Sequence, residues 1–236
     1  MNIKVRRASH RGKAEHGWLH ANFSFSFANY YDPEHCGFHS LIVMNNDIIE
    51  PGGGFPTHPH KDAEIFTYVI SGELEHQDSM GNGSVIRPGD LQYMSAGSGV
   101  THSEFNPSKK NRTELYQIWM LPNQSGGDPR YAEKKLAGRE NPNGWTLLFS
   151  GDGANKSTQI RQDATFSFGQ ADPGASLSIE PANSLPHAWI QVVSGALEAN
   201  GQELGKADGM SIENLDETVN LSILEPSTLF LFRLPD

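Results

Sequence analysis

Phe66-Thr67-Tyr68-Val69-Ile70-Ser71-Gly72-Glu73-Leu74-Glu75 returns later in the chain as Trp189-Ile190-Gln191-Val192-Val193-Ser194-Gly195-Ala196-Leu197-Glu198. Each copy is a run of β-branched and aromatic residues stopped by Ser-Gly, and the chain then turns back as the second arm of a hairpin. Further on, Arg87-Pro88-Gly89-Asp90-Leu91 has a looser counterpart in Lys206-Ala207-Asp208-Gly209-Met210. Each half therefore reads strand, Ser-Gly turn, strand, loop, turn, strand. Repetition at this scale points to two copies of one antiparallel barrel rather than a single large sheet.

The rest of the chain agrees with an all-β fold. Phe23, Phe25 and Phe27 alternate with Ser24, Ser26 and Ala28, as do Val219, Leu221 and Ile223 with Asn220 and Ser222. The 24 glycines and 14 prolines among 236 residues suit many short strands joined by tight turns. Between the halves, residues 131–144 have a different character. Tyr131 to Arg139 is a good stretch of helix formers, and Asn141-Pro142-Asn143-Gly144 ends it. The expected organisation is a first barrel over 1–130, a linker that is helical in part over 131–144, and a second barrel over 145–236.

The net charge of −10 argues against direct nucleic-acid binding. The short basic clusters at Lys4 to Arg11 and Lys109 to Arg112 read as solvated surface. No run approaches the ~18 apolar residues of a membrane span. One cysteine, Cys36, rules out a disulfide within the chain and suits a reducing compartment. The expectation is a cytoplasmic monomer.

The chemistry gathers at two short segments. His58 and His60 flank Pro59, and i, i+2 residues of a strand point to one face. His102 and Glu104 have the same spacing. If these strands are neighbours, four ligands converge on one point. Ten histidines give about 0.4 His-x-His by chance in a chain of this length, so the pair alone is weak. Its context strengthens it: Gly52-Gly53-Gly54 precedes the first pair, and Pro88-Gly89-Asp90 and Ser95-Ala96-Gly97-Ser98-Gly99 precede the second. Three imidazoles and a carboxylate suit a divalent first-row metal: Fe(II), Mn(II), Co(II), Ni(II), Cu(II) or Zn(II). Four protein ligands in an octahedral field leave two positions open for chemistry.

These segments resemble a known family. Gly52 to Glu64, reading Gly-Gly-Gly-Phe-Pro-Thr-His-Pro-His-Lys-Asp-Ala-Glu, is similar to the first cupin motif as pirins carry it, and Gly89 to Glu104 to their second. Phe25 to Pro33 and Tyr116 to Trp119 also look like pirin segments, and the second half resembles the C-terminal cupin of short bacterial pirins assigned as quercetin 2,3-dioxygenases. The resemblance implies a bicupin with one metal, in the first barrel, held by His58, His60, His102 and Glu104. Many cupins draw the carboxylate from the first motif, here Glu64. In pirins it follows the second-motif histidine, so Glu64 and His76 are expected to stand behind the ligands rather than among them. The second barrel offers only His187 and no second histidine beside it, and no metal is expected there. The implied activity is opening of the central ring of a flavonol by O2 with release of carbon monoxide, with Glu104 as the catalytic base. The alternative is a non-enzymatic, metal- or redox-sensing regulator that binds a protein partner.

Overall fold

The computed structural model describes residues 1–136 and 141–236. The fold is all-β and falls into two compact units, one running Gly12–Ala137, the other made of Met1–Arg11 and Gly138–Asp236. Strand β1 (Asn2–Arg6) belongs to the second unit. The first unit then supplies β2 (Gly12–Glu15), β3 (Leu19–Phe23), β4 (Leu41–Ile49), β5 (Gly54–His60), β6 (Glu64–Ser71), β7 (Leu74–Asp78), β8 (Gly83–Ile86), β9 (Asp90–Ser95), β10 (Val100–Phe105), β11 (Thr113–Met120) and β12 (Arg130–Lys135). The second unit continues with β13 (Gly144–Ser150), β14 (Thr158–Gln159), β15 (Thr165–Ala171), β16 (Ser176–Ile179), β17 (His187–Ser194), β18 (Leu197–Ala199), β19 (Gln202–Leu204), β20 (Gly209–Glu213), β21 (Val219–Ile223) and β22 (Ser227–Leu234).

Each unit pairs a seven-stranded sheet with a four-stranded one. The first unit has the orders β12-β9-β6-β11-β4-β3-β2 and β5-β10-β7-β8; the second has β1-β20-β17-β22-β15-β13-β14 and β16-β21-β18-β19. The quoted hairpins, β6–β7 and β17–β18, hold matching places. Gly72 and Gly195 turn both with positive φ, +76° and +82°. A side chain at either would collide with the backbone of a neighbouring strand, at Arg112–Thr113 or Pro226–Ser227. The hydroxyls of those neighbours lock the turns: Thr113 donates to the Glu73 carbonyl at 2.6 Å and Ser227 to that of Ala196 at 3.2 Å.

Two expectations about domain limits are corrected. Residues 1–11 do not belong to the first barrel. Ile3 and Val5 alternate with charged residues, pair with β20 and pack on the second unit's core. Residues 131–135, expected as the start of a partly helical linker, belong to β12, which edges β9 from Arg130↔Ser95 to Lys135↔Asp90. Ladder hydrogen bonds outweigh the helical preference of Ala, Glu and Lys here, and the charges suit an edge strand. Residues 137–140, the remainder of the expected helix-forming stretch and part of the linker, lie outside the described residues.

A candidate metal centre in the first barrel

The four-stranded sheet of the first unit carries the site on one face. β5 and β10 are antiparallel neighbours, as the four-ligand reading required, and His58 sits directly across from His102. A register shift between His102 and Glu104 then brings Glu104 opposite Phe55, the kind of bulge that re-aims side chains beside a site. On its other flank β10 pairs with β7, where Glu104 faces His76 and His102 faces Asp78. Gly54 makes the approach possible, since a methyl there would overlap the Glu104 carbonyl and the Phe105 ring.

His58, His60 and His102 present ring nitrogens that all lie within 4.8 Å of one another. His102, Glu104 and His76 form a second such triad, sharing His102 with the first. His58 Nδ1 donates to the Pro56 carbonyl at 2.8 Å, which fixes the tautomer and leaves the Nε2 lone pair facing inward. That Nε2 stands 3.0 Å from His102 Nε2. Burial and the neighbouring imidazoles push His60 down to about 4 and His102 to about 3, so both are neutral near pH 7. His102 Nδ1 is buried with no hydrogen-bond partner. A knot of imidazoles with ring nitrogens converging is the donor set a divalent transition metal requires, and a cation there relieves its crowding.

Glu104 is buried, and desolvation raises its carboxyl to about 7. Gln117 Nε2 donates to it at 3.1 Å and the Thr67 hydroxyl at 3.4 Å. The same hydroxyl also contacts the Gln117 amide oxygen at 3.0 Å. His76, fully buried, stands 3.2 Å from Asp78 through Nε2, while its Nδ1 has no partner. Asp78 is itself fixed by the backbone N–H groups of Met80 and Asn82 and the Asn82 side chain. Burial raises its carboxyl, but the hydrogen bonds from Asn82 and His76 outweigh that and hold it below its ordinary range. Trp119 stacks edge-on against His60, with ring centroids 4.8 Å apart.

The structure thus brings His58, His60, His102, Glu104 and His76 onto one face of one sheet. It does not bring Glu64 there. Residues 64 and 67 lie on opposite faces of β6 by alternation, and Thr67 is the one that reaches Glu104. Glu64 instead accepts from Tyr93 and Ser95, each at 2.5 Å. Thr67 and Gln117 were not singled out in the sequence. A glutamine between Leu115 and Trp119 on an inward-facing strand was the available signal.

The second unit shows what replaces the site. Ala199 pairs with Leu221 as His76 does with Glu104, and Ile179 pairs with Val219 as His58 does with His102. All four belong to an apolar core that fills this barrel. His187 spends Nε2 on Asp236 at 3.0 Å, and its Nδ1 accepts the Asn214 N–H at 3.2 Å.

The pirin family model matches residues 3–120, and that of the quercetinase C-terminal cupin domain matches residues 147–234. A quercetin 2,3-dioxygenase of Escherichia coli is 42% identical over 233 residues, covering 99% of both chains. A pirin-like protein of Caulobacter vibrioides is 37% identical over 222 residues, covering 93% of this chain and 94% of its own. The bacterial pirin YhhW of Escherichia coli, solved in complex with nickel(II), superposes with a TM-score of 0.93 at 42% identity, covering 99% of each chain. No helix among the described residues is long and apolar enough to cross a membrane.

Proposed function

The chain belongs to the pirin family, and on that premise we propose that it is a metal-dependent dioxygenase that opens the central ring of quercetin-like flavonols with O2 and releases carbon monoxide. The carrying observation is the triad of imidazoles, His58, His60 and His102, set beside the buried carboxyl group of Glu104. We assign these four as the ligands and favour Fe(II) among the divalent metals. The protein works as a monomer, and its acidic surface and single cysteine suit the cytoplasm.

A divalent metal held there supplies Lewis acidity to the adjoining hydroxyl and carbonyl oxygens of the substrate. The protein does the remaining work. The Pro56 carbonyl keeps His58 in the one tautomer that can ligate. Gln117 and Thr67 hold the Glu104 carboxylate in place. Held there as a buried carboxylate beside the metal, Glu104 is positioned as the base for the 3-hydroxyl proton of the flavonol. An open cleft of about 560 Å³, bordered by His60, Lys61, Ser79 and Gly99, gives access to the cluster from outside. Trp119 and Phe55, in ring contact with His60 and His58, supply apolar walls.

Elemental analysis of protein purified without added metal, followed by a quercetin assay that monitors carbon monoxide, tests the reading. His58→Ala and Glu104→Ala should lose metal and turnover together. Full metal occupancy with no turnover on any flavonol would sink the enzyme and leave the partner-binding regulator.

A further inference from the structure

His76 is enclosed completely by the first barrel and bears the marks of a metal ligand. Its Nε2 donates to Asp78 Oδ2 at 3.2 Å, and Asp78 is in turn held by the backbone N–H groups of Met80 and Asn82 and by the Asn82 amide. A carboxylate that fixes one ring nitrogen sets the tautomer and leaves the other with a lone pair, the arrangement that metal-binding histidines commonly use. That other nitrogen, Nδ1, is buried and has no hydrogen-bond partner. The Pro56 carbonyl prepares His58 in the same way. A buried ring nitrogen left unmatched is costly, and a cation that takes its lone pair recovers the cost.

The surroundings of His76 supply further donors. It is the cross-strand partner of Glu104, and its ring centroid lies 5.3 Å from that of His102. One nitrogen of His76, one of His102 and one carboxylate oxygen of Glu104 lie within 4.8 Å of one another, and all three residues are buried. His102 brings a second unmatched nitrogen, its Nδ1. An ion held at about 2.0–2.2 Å by each residue needs donors roughly 3–4 Å apart, which small side-chain rotations provide. Tyr131 of β12 packs against the His76 ring, with centroids 5.2 Å apart, and its hydroxyl is tied to Ser84 at 2.7 Å and Glu133 at 2.6 Å. Of the five clustered side chains, only His60 borders the open cleft.

We propose that His76, His102 and Glu104 form a second, inner position for a divalent first-row cation, beside the one that His58, His60 and His102 make with Glu104. The proposal rests on the ligand assignment above. The two positions share His102 and Glu104, so the protein holds one ion at a time. An ion in the inner position is screened from the cleft, which suits retention of the metal rather than contact with substrate. The second barrel has Ala199 and Leu221 at the places of His76 and Glu104, and neither carries a donor.

Co(II) titrated into chelator-treated protein tests the inner position, followed by visible absorption and by competition with a chelator. The wild type should take up one equivalent. His58→Ala/His60→Ala removes two outer ligands and should still take up one equivalent. Its affinity should be at least about tenfold weaker, the loss that even a hydrogen-bond partner of a ligand causes. Binding this weak empties during purification and returns only when metal is added. His76→Ala placed in the double variant should abolish it. Circular dichroism confirms folding, and His58→Gln/His60→Gln takes the place of the alanine pair if that pair does not fold.

A folded double variant that binds no Co(II), or a triple variant that binds it as tightly as the double, would overturn the inner position and leave the outer centre standing. A wild type that takes up no Co(II) would overturn the ligand assignment itself, and both positions with it.

Discussion

Replacing Glu104 with glutamine should make the metal-free protein more stable at pH 8 and leave its stability unchanged at pH 4.5. The carboxyl titrates near 4.5 when exposed and at about 7 in its buried place. Below 4.5 it is protonated in both states, so nothing is lost on folding. As pH rises, the unfolded chain ionises first, and folding then requires a proton that solution holds less and less. Stability falls by about 1.4 kcal/mol per pH unit until the folded group also ionises, a total of about 3 kcal/mol. Glutamine has nearly the same shape and never carries the charge, so it should avoid about 2–3 kcal/mol of that loss above pH 7. Denaturant unfolding of both proteins in chelator at pH 4.5, 6 and 8 measures the difference. Reloading metal should reverse the sign, because only the carboxylate ligates well. A variant less stable than wild type at pH 8 without metal, or a difference that does not vary with pH, would refute the assignment of a desolvated carboxylate beside the imidazoles.

Metal affinity should itself depend on pH. Since Glu104 must shed a proton to ligate while His60 and His102 are already neutral, affinity should drop about tenfold per unit as pH falls from 7 to 5, a slope absent in Glu104→Gln, measured by competition with a chelator. Gln117→Leu removes the donor at 3.1 Å from Glu104 and should weaken metal binding by about 10–100-fold with the fold intact by circular dichroism. Gly54→Ala should drive β5 from β10 and lose metal more severely than its size suggests, which metal analysis of the purified variant checks. In the second barrel, Leu221→Ala should cost about 2–5 kcal/mol in unfolding free energy while metal content stays unchanged, because it empties core rather than a ligand position.

Much of this molecule follows from local pattern alone. Period-two alternation and Ser-Gly turns specify strands and hairpins through neighbouring residues, so the two-barrel plan was readable from the echo of residues 66–75 in 189–198. The i, i+2 spacing of His58 with His60 and of His102 with Glu104 placed each pair on one face, because side-chain direction in a strand depends only on the backbone. What tertiary structure decided was which strands lie side by side. Asn2–Arg6 alternates like any edge strand, and nothing within it says that β20, more than 200 residues away, is its neighbour. Residues 131–135 favour a helix by composition and become a strand because β9 offers an open edge. His76, Thr67 and Gln117 reach Glu104 from three different strands, a convergence set by register, and the opposite face of the same strand carries Glu64 away from it. The paired histidines and glutamate are local and legible in sequence; the partners that surround them are assembled across sheets and become visible only in the fold.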